Sequence, residues 1–359
     1  MKNNTVFELG ELFCGPGGLA IGASSAKFTD KSSNIKYSIK HKWASDYHSE
    51  TCQTYEHNIK GGNVICADVK ELIKDDESMA QLGSIDAFAY GFPCNDFSIV
   101  GESKGFEGKF GGLYTYGVKV LNKFKPKFFL AENVGGLTSA NEGKAFEKIK
   151  YDLANAGNGY DLTVHKYRFE QYGIPQNRHR VIIIGIDKTL NLNYKVPAPT
   201  TKDNPVGVKE AFEKSPIPSS AYNNEKTNQS ATVIERLKYI KPGQNIWQTD
   251  LPKHLQLNVK GAKLSQIYRR LHPDKPSYTI TGSGGGGTHG YHYEEFRALT
   301  NRERARIQTF PDSFEFQGKK ESVRRQIGMA VSPKMAQIIF ESVLKTFAGV
   351  KYKSVESNL

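Results

Sequence analysis

The stretch from Thr5 to Gly18, TVFELGELFCGPGG, runs from an apolar segment into a glycine-rich turn and decides the fold. Residues 5–13 are typical of a buried β-strand, and residues 17–28 of a helix that follows it. Glycine permits backbone angles that other residues avoid and lets the main chain approach a ligand closely, so this turn predicts a binding loop. A tight connection without a ligand would use the same glycines. The spacing differs from the dinucleotide pattern G-x-G-x-x-G, which argues against a nicotinamide cofactor.

Beyond this turn, strand-like apolar segments alternate with helix-like ones, which indicates repeated βαβ units around a mostly parallel sheet. The run Val181–Ile184 is apolar throughout, as expected of a strand covered on both faces, although a buried helix would show the same run. The sequence therefore predicts an α/β fold. The predicted strands are 5–13, 37–45, 63–67, 85–91, 126–131, 161–169 and 180–186, and the predicted helices of the first half are 17–28, 47–58, 69–81 and 141–156.

Two aspartates follow predicted strands that neighbour the glycine-rich turn. Asp46 comes after residues 37–45, at the position where this kind of fold uses an acidic residue to bind a ribose diol. Its separation from Gly18 is longer than usual, and we expect a loop around residues 28–36 to absorb the difference. Asp68 suits an exocyclic amine. Together they predict an adenosine-containing ligand, although each one alone is more often a helix N-cap.

The sequence GFPCNDFS at residues 91–98 follows the predicted strand 85–91 and presents Cys94 at a strand end, where ligands bind in open α/β sheets. Pro93 restricts the backbone just before it, and this context predicts a nucleophile. The other three cysteines are expected to be small buried apolar residues: Cys14, Cys52 and Cys66. With four cysteines and no Cys-x-x-Cys, neither a zinc site nor a disulfide framework is expected.

Two further motifs place charged side chains at strand ends. Glu132, in AENV after the apolar segment KFFLA, predicts a proton donor to a ring nitrogen, or a surface glutamate that caps a turn. Arg178 and Arg180 in QNRHR open the strand 180–186, and their spacing places both on one face of a strand. Such a pair suits a carbonyl oxygen or a phosphate, and a surface ion pair is the alternative.

Length and charge indicate two domains and a polyanionic partner. The chain of 359 residues has a formal net charge of +12, and residues 190–280 contain 14 Lys and Arg against 7 Asp and Glu. A solvated surface would also produce this excess of positive charge.

Near residue 190 the sequence becomes rich in Pro, Ser, Asn and Thr, which predicts a domain boundary. We expect domains at 1–189, at 190–290 and, with helices in LTNRERARIQTF and SPKMAQIIFESVLKTF, a return to the first domain at 291–359.

No segment approaches the apolar length of a membrane helix, and mean hydropathy is −0.53. The N-terminus has no long apolar region behind a basic start, so neither secretion nor export is expected. We therefore expect a cytoplasmic protein without membrane contact.

Taken in order, these motifs resemble the DNA (cytosine-5)-methyltransferase family of bacterial restriction-modification systems. The resemblance covers most of residues 5–185 and 265–347 and leaves 190–265 to a variable target-recognition region. Asn95, Phe110 and Met329 depart from the residues common in the family. The similar segments are FCGPGG at 13–18, PC at 93–94, ENV at 132–134, QNRHR at 176–180, PSYTIT at 276–281, LTNRERA with FPDSF at 299–314, and QIGMAV at 326–331.

The resemblance implies a Rossmann-like doubly wound sheet, the fold of S-adenosylmethionine-dependent methyltransferases, with a smaller irregular recognition domain. It implies S-adenosylmethionine as cofactor, S-adenosylhomocysteine as product, and no metal. The implied catalytic residues are Cys94, Glu132, Arg178 and Arg180. The implied cofactor-binding residues are Phe13, Gly15, Gly17, Asp46, Asp68 and Leu113. The expected DNA contacts are Ser98, Arg269, Arg270, Ser283, Gly284, Gly285 and Thr288, of which the glycine-rich segment could equally be a flexible linker.

The implied reaction transfers a methyl group to C5 of a cytosine flipped out of a specific duplex sequence, through a covalent adduct of Cys94 at C6. The expected partners are double-stranded DNA and a cognate restriction endonuclease, with the protein a monomer near the nucleoid. Two alternatives stay open at this point. One is a related enzyme that methylates tRNA cytosine, and the other is a non-catalytic DNA-binding regulator with the same fold.

Overall fold

A computed structural model describes residues 4–92, 112–258, 264–282 and 289–359. The chain divides into two compact units. The first contains residues 1–168, 179–198 and 331–359, and the second contains residues 169–178 and 199–330. The helices at Asn301–Ile307 and Lys320–Met329 pack in the second unit, and the chain re-enters the first at Val331. The assignment of the units to catalysis and target recognition stays a prediction.

The first unit is built on one mixed sheet with the order β2-β3-β1-β5-β6-β8-β7, with β4 beside the second half of β3. Strands β4, β3, β1, β5 and β6 run parallel, and β8 runs antiparallel between β6 and β7. The strands are β1 (Asn4–Leu12), β2 (Lys27–Asp30), β3 (Ile35–Asp46), β4 (Asn63–Cys66), β5 (Ala87–Gly91), β6 (Phe128–Val134), β7 (Tyr160–Arg168), β8 (His179–Asp187), and a small pair of β9 (Val196–Pro197) with β10 (Ser354–Val355).

This order confirms a doubly wound α/β sheet. The chain starts in the middle at β1, builds β3 and β4 on one side, and then builds β5 and β6 on the other. The order reverses between β1 and β5, and ligands bind outside the carboxyl ends of the strands at such a point. Val181–Ile184 lies within β8 and is buried on both faces, which confirms the strand predicted there.

The helices of the first unit connect and cover these strands. Helices α1 and α11 approach so closely that a Cβ at Gly22 would lie 2.3 Å from the Cβ of Ala336. The helices are α1 (Gly18–Ser25), α2 (Ser49–Asn58), α3 (Val69–Leu72), α4 (Asp76–Ala80), α5 (Tyr114–Phe124), α6 (Lys144–Ala154) and, near the C-terminus, α11 (Pro333–Phe347).

Two predicted helices differ from the structure. The first ends at Ser25, and residues 27–30 form β2 in a hairpin with β3, where a loop was expected. The Asp30 carboxylate accepts hydrogen bonds from the main-chain N–H groups of Ser32 and Ser33, which is how aspartate closes a tight turn. The helix predicted at 69–81 is divided into α3 and α4, because Asp75 caps a new helix by accepting from the N–H of Ser78.

The second unit has little regular structure, as the sequence predicted. Its helices are α7 (Val208–Glu213), α8 (Ala231–Tyr239), α9 (Asn301–Ile307) and α10 (Lys320–Met329). One apolar cluster in this unit contains Leu237, Ile240, Ile246, Tyr268, Tyr291 and Ala298. None of the helices in the described part of the chain has the length and hydrophobicity to span a lipid bilayer.

Buried arginines take over part of the hydrogen bonding that a sheet would provide. Arg302 in α9 donates to the carbonyl groups of Tyr222, Pro311 and Phe314. A main-chain carbonyl buried without a donor is costly, and a guanidinium offers five N–H groups in a fixed plane. These side chains therefore satisfy loop carbonyls that have no neighbouring strand.

Candidate functional site

The glycine-rich turn between β1 and α1 has the backbone conformation that its sequence suggested. Phe13 and Gly15 have φ values of 53° and 55°, and Gly17 has a φ of 101°. A Cβ at Gly17 would lie 3.1 Å from Ile59, so glycine there also serves packing. A Cβ at Gly15 would meet no described atom within 4 Å. The main chain at Gly15 thus faces open space that a ligand can enter.

Asp46, the last residue of β3, is tied to this turn. Its carboxylate accepts from the N–H of Gly15 at 3.0 Å and from the N–H of His48 at 3.0 Å. Desolvation raises the pKa of Asp46, and the two N–H groups counteract that effect. The aspartate therefore positions the glycine turn in addition to any contact with a ligand.

Tyr47 follows Asp46 and was missed by the sequence analysis. Tyr47 is 71% exposed, which is unusual for a large aromatic residue at a strand end. Its signal in the sequence was an aromatic residue next to the predicted ribose-binding carboxylate. An exposed ring in this position offers a flat face for a planar ligand group.

Asp68 and Leu113 lie at the starts of helices in the same unit. Ala67 donates its N–H to the carbonyl of Asp46, which holds the end of β4 beside β3. The exposed Asp68 carboxylate caps α3 by accepting from the N–H of Lys70 at 2.9 Å. Leu113 is the half-buried residue before α5 and packs against the core.

A buried carboxyl group lies below the glycine turn and was also missed. Glu11 in β1 is fully buried, and burial raises its pKa to about 8. The hydroxyl of Tyr55 donates a hydrogen bond to Oε2 of Glu11 at 3.4 Å, while Oε1 of Glu11 has no hydrogen-bond donor among the described residues. Its sequence signal was an acidic residue within an apolar strand, just before the turn. A carboxylic acid in this environment favours its protonated form near neutral pH.

Glu132 and Arg180 meet at the ends of β6 and β8. The Nε of Arg180 lies 2.8 Å from Oε1 of Glu132, and the two side chains are 13% and 12% exposed. In the antiparallel register Glu132 pairs with Ile182 and Val134 pairs with Arg180, so the two charged residues are diagonal neighbours on one face. Two residues predicted as catalytic are therefore brought together as a shielded ion pair.

This ion pair lies beside the end of β5. Gly91 pairs with Glu132, and a Cβ at Gly91 would lie 3.2 Å from Oε2 of that glutamate. Asn133 donates its side-chain N–H to the carbonyl of Phe92 at 3.3 Å. Strand β5 thus ends against the carboxylate, three residues before Cys94. Cys94 and Ser98 lie outside the described residues.

Arg178, unlike Arg180, is fully buried in the second unit. Its guanidinium donates to the carbonyl groups of Ile280, Gly328 and Ala330 at 3.0–3.2 Å. The two arginines of QNRHR thus have different partners instead of forming a clamp together. A Cβ at Gly328 would lie 2.0 Å from the main-chain nitrogen of Gly282. The segment QIGMAV at 326–331 therefore requires glycine where two segments of the main chain pass close together.

Among the expected DNA contacts, Arg269 and Arg270 have different environments. The guanidinium of Arg269 lies over the ring of Tyr278, 4.6 Å from its centroid. Arg270 is buried, and its five N–H groups reach five carbonyl groups: Leu237, Ile240, His292, Tyr293 and Glu294. A guanidinium with this pairing has no N–H left for a phosphate, so the position of Arg270 does not agree with a DNA contact. Ser283, Gly284, Gly285 and Thr288 lie outside the described residues.

The described cysteines differ from one another in exposure. Cys14 and Cys52 are buried, which confirms the expectation for those two, and Cys66 is exposed, so the expectation for Cys66 was wrong. Cys66 is the last residue of a short edge strand, where one face is not covered. Within the part of the chain that the structure describes, no group of three or more His, Cys, Asp or Glu side chains is arranged to hold a metal ion.

Comparison with known proteins gives consistent results. The family model for C-5 cytosine-specific DNA methylase matches residues 7–345. Type II methyltransferase M.BbvI of Brevibacillus brevis is 56% identical over 356 residues, which cover 98% of this chain and 94% of that protein. Type II methyltransferase M.NgoFVII of Neisseria gonorrhoeae is 39% identical over 352 residues, covering 96% and 88%. A crystal structure of an E. coli prophage protein assigned as a DNA modification methyltransferase superposes with a TM-score of 0.72 at 24% identity, covering 95% and 99%, and shares the fold.

Proposed function

This chain belongs to the C-5 cytosine-specific DNA methylase family, and on that premise we propose how its residues carry out the reaction. It is a DNA (cytosine-5-)-methyltransferase of the type II restriction-modification kind. Family membership implies S-adenosylmethionine as the cofactor. The proposal concerns the nucleophile, the groups around the base, the cofactor-binding residues and the DNA-binding surface.

The observation that carries the proposal is the ion pair of Glu132 with Arg180 at the end of β5. The pair has a Nε–Oε1 distance of 2.8 Å and is largely shielded from water. N3 and O2, at the edge of the pyrimidine, are adjacent hydrogen-bond acceptors. A guanidinium suits O2, and a carboxyl group beside it suits N3 once a proton lies between the two. In the chain, Cys94 follows the end of β5 by three residues.

Cys94 is the proposed nucleophile. C5 of cytosine is too weakly nucleophilic to take up a methyl group directly, and covalent catalysis overcomes this. The thiolate of Cys94 forms a bond to C6, the C5–C6 double bond opens, and its electron pair makes C5 an enamine carbon. When bound, S-adenosylmethionine would supply the electrophilic methyl group that C5 takes up, and S-adenosylhomocysteine would be the leaving group. Loss of the proton from C5 and cleavage of the S–C6 bond then restore the aromatic ring and the thiolate.

Glu132 and Arg180 hold the base during this sequence. Glu132 binds N3 and places a proton there, which draws electron density from C6 and stabilises the adduct. Arg180 binds O2 through its guanidinium while its Nε keeps the carboxylate of Glu132 oriented. Arg178 acts on the main chain as a positioning residue, because its N–H groups are bonded to loop carbonyls.

The residues around the glycine turn fit the cofactor. Gly15 faces open space, which allows a close approach of a ligand to the main chain. We assign Asp46 to the ribose hydroxyl groups, Asp68 to the exocyclic amine, and the exposed ring of Tyr47 to stacking on the adenine. Phe13, Gly17 and Leu113 complete the walls of the site. Each of these residues belongs to the first unit.

The second unit supplies the proposed DNA-binding surface. It contains 22 Lys and Arg against 14 Asp and Glu, a net charge of +8 out of the +12 of the chain. Positive charge attracts the phosphate backbone and releases counterions. Extruding the target base from the stack costs a few kcal/mol, which contacts of this unit offset. Arg269 and residues 283–288, with Ser98 from the first unit, are the proposed contacts.

As partners we propose double-stranded DNA and a cognate restriction endonuclease that cuts the same site, with the enzyme acting as a monomer. Both alternatives from the sequence lose support from membership in a DNA methylase family at 56% identity to a type II methyltransferase. Retention of Cys94, Glu132 and Arg180 further disfavours a regulator without turnover.

The decisive experiment incubates the enzyme and S-adenosylmethionine with duplex DNA that contains 5-fluorocytosine. Release of the enzyme requires loss of H+ from C5, and a fluorine at C5 cannot leave as the corresponding cation. The enzyme should therefore remain covalently attached to the DNA and run as a heavier band on a denaturing gel. Cys94→Ser should give no such band. In parallel, labelled methyl groups should enter duplex DNA and not tRNA. A band with Cys94→Ser, or label only in tRNA, would refute the proposal. Bisulfite sequencing of DNA from cells that make the protein then identifies the target sequence.

A further inference from the structure

Arg304 in α9 is an exception among the buried arginines of the second unit. Arg178, Arg270 and Arg302 each donate to three or more main-chain carbonyl groups. Arg304 is 5% exposed, yet its Nη2 is buried without an acceptor among the described residues. A buried guanidinium N–H without an acceptor destabilises the fold unless another molecule completes its environment.

A second arginine near Arg304 is also incompletely paired. Arg324 in α10 has a buried Nε without an acceptor in the described part of the chain. Its Nη1 lies 3.3 Å from Nδ1 of His289. The carboxylate of Glu321 is 3.9 Å from Nη2 of Arg324, but that side chain is 89% exposed. Such an exposed contact contributes little to neutralising the guanidinium.

The surroundings of these two arginines are positively charged. Desolvation and the nearby Arg324 lower the pKa of Arg304 to about 10. Burial, Arg304, Arg324 and Lys320 together lower the pKa of His289 to about 4. The adjacent Glu303 attracts Arg304 and raises its pKa, but both oxygens of Glu303 are bonded to Arg297 at 2.7–2.8 Å, so the carboxylate is only a partial counter-charge. An anion is the missing component.

We propose that Arg304, Arg324 and His289 form a binding site for one backbone phosphate of the DNA. The inference rests on the proposed function, because it takes the anion from the duplex substrate. Guanidinium groups bind phosphate oxygens through short, charge-assisted hydrogen bonds. His289 is neutral at pH 7, and with Nδ1 accepting from Arg324 its proton lies on Nε2, which provides a third donor. His289 directly follows residues 283–288, the proposed recognition loop. A phosphate bound here would therefore set the distance between that loop and the DNA backbone.

A phosphate site and a purely structural role for Arg304 predict opposite results for Arg304→Met. Methionine fills much of the same volume without a charge. Removing an unpaired buried cation should leave the melting temperature of the free protein unchanged or raise it. Affinity for a short fluorescein-labelled duplex, measured by anisotropy, should fall about tenfold at low salt. The slope of log K against log salt should decrease by about 1. A lower melting temperature with unchanged affinity and slope would overturn the proposal.

Two further variants make the test independent of folding at position 304. Arg324→Gln should reduce the salt slope as well, and the double variant should lose little beyond either single one, because all serve one phosphate. The matched control is Lys214→Met, a lysine of the same unit that is 80% exposed and 3.7 Å from Glu210; its slope should remain that of the parent. If the parent protein binds no duplex, the proposed function fails. If it binds and both arginine variants keep its slope, only the phosphate site fails.

Discussion

Replacing Arg180 by methionine tests the ion pair at the centre of the proposed site. The change removes the guanidinium that lies 2.8 Å from Glu132 and leaves the carboxylate at 12% exposure without a partner. Loss of one member of a buried pair costs about 3–5 kcal/mol, and partial exposure places this pair near 3 kcal/mol. Urea unfolding should show this loss. In single-turnover assays at saturating DNA, methyl transfer should slow by about 10²- to 10³-fold, because a group that stabilises the reacting base is missing.

A double-mutant cycle gives the outcome that would refute this reasoning. Glu132→Gln, Arg180→Met and the double variant should be non-additive in unfolding free energy by more than about 1 kcal/mol, whereas independent sites add within about 0.5 kcal/mol. The matched control is Arg297→Met, an arginine of 11% exposure paired with Glu303 and Glu295. It should lose stability and keep the single-turnover rate. Additivity, or an Arg180→Met defect confined to DNA affinity, would contradict the role assigned to the pair.

Three other perturbations have defined outcomes. Cys94→Ser should abolish methyl transfer while filter binding still shows DNA and cofactor bound; full activity would exclude the covalent route. Gly22→Ala places a Cβ 2.3 Å from Ala336 and should lower the unfolding free energy by about 1–3 kcal/mol, whereas Gly112→Ala, which meets no described atom within 4 Å, should change it little. Burial raises the pKa of Glu11 to about 8 in the folded state, above its unfolded value, so the folded protein holds a proton that the unfolded chain has lost. The stability that this proton contributes therefore falls as pH rises to 8. Between pH 7 and 8 the urea-derived stability of the cofactor-free protein should fall by up to about 1.4 kcal/mol per pH unit, and Glu11→Gln should remove this slope; an unchanged slope would show that Glu11 is not its source.

The sequence predicted the fold correctly where a segment was apolar throughout or had apolar residues at helical spacing. Strands β5, β6 and β8 are buried on both faces, so continuous apolar segments identified them. Helix α11 has Pro333 at its start and apolar residues at helical spacing, and it was also found. Strand β2 was missed because Lys27–Asp30 is short and its pairing depends on a turn closed by the side chain of Asp30. Helices α5 and α10 were not predicted, although both are amphipathic.

Prediction of the site was accurate for residue types and weaker for environments. Glu132 and Arg180 were selected from motifs 48 positions apart, and their contact follows from the antiparallel register of β6 and β8. Arg178 was selected from the QNRHR motif and its spacing on a strand, and Arg270 as one of two adjacent arginines in the basic region. Both are buried against main-chain carbonyls, and a surface contact and a structural arginine have the same letter in a sequence.

The sequence by itself determined the alternation of strands and helices, the glycine turn after β1, the family and the set of candidate reactive groups. These depend on properties that each residue or short motif carries with it. Only the tertiary structure decided which charges are paired, which are buried, and which remain without a partner, as at Glu11 and Arg304. The physical reason is that desolvation and Coulomb interaction depend on the atoms surrounding a group, and those atoms come from distant parts of the chain.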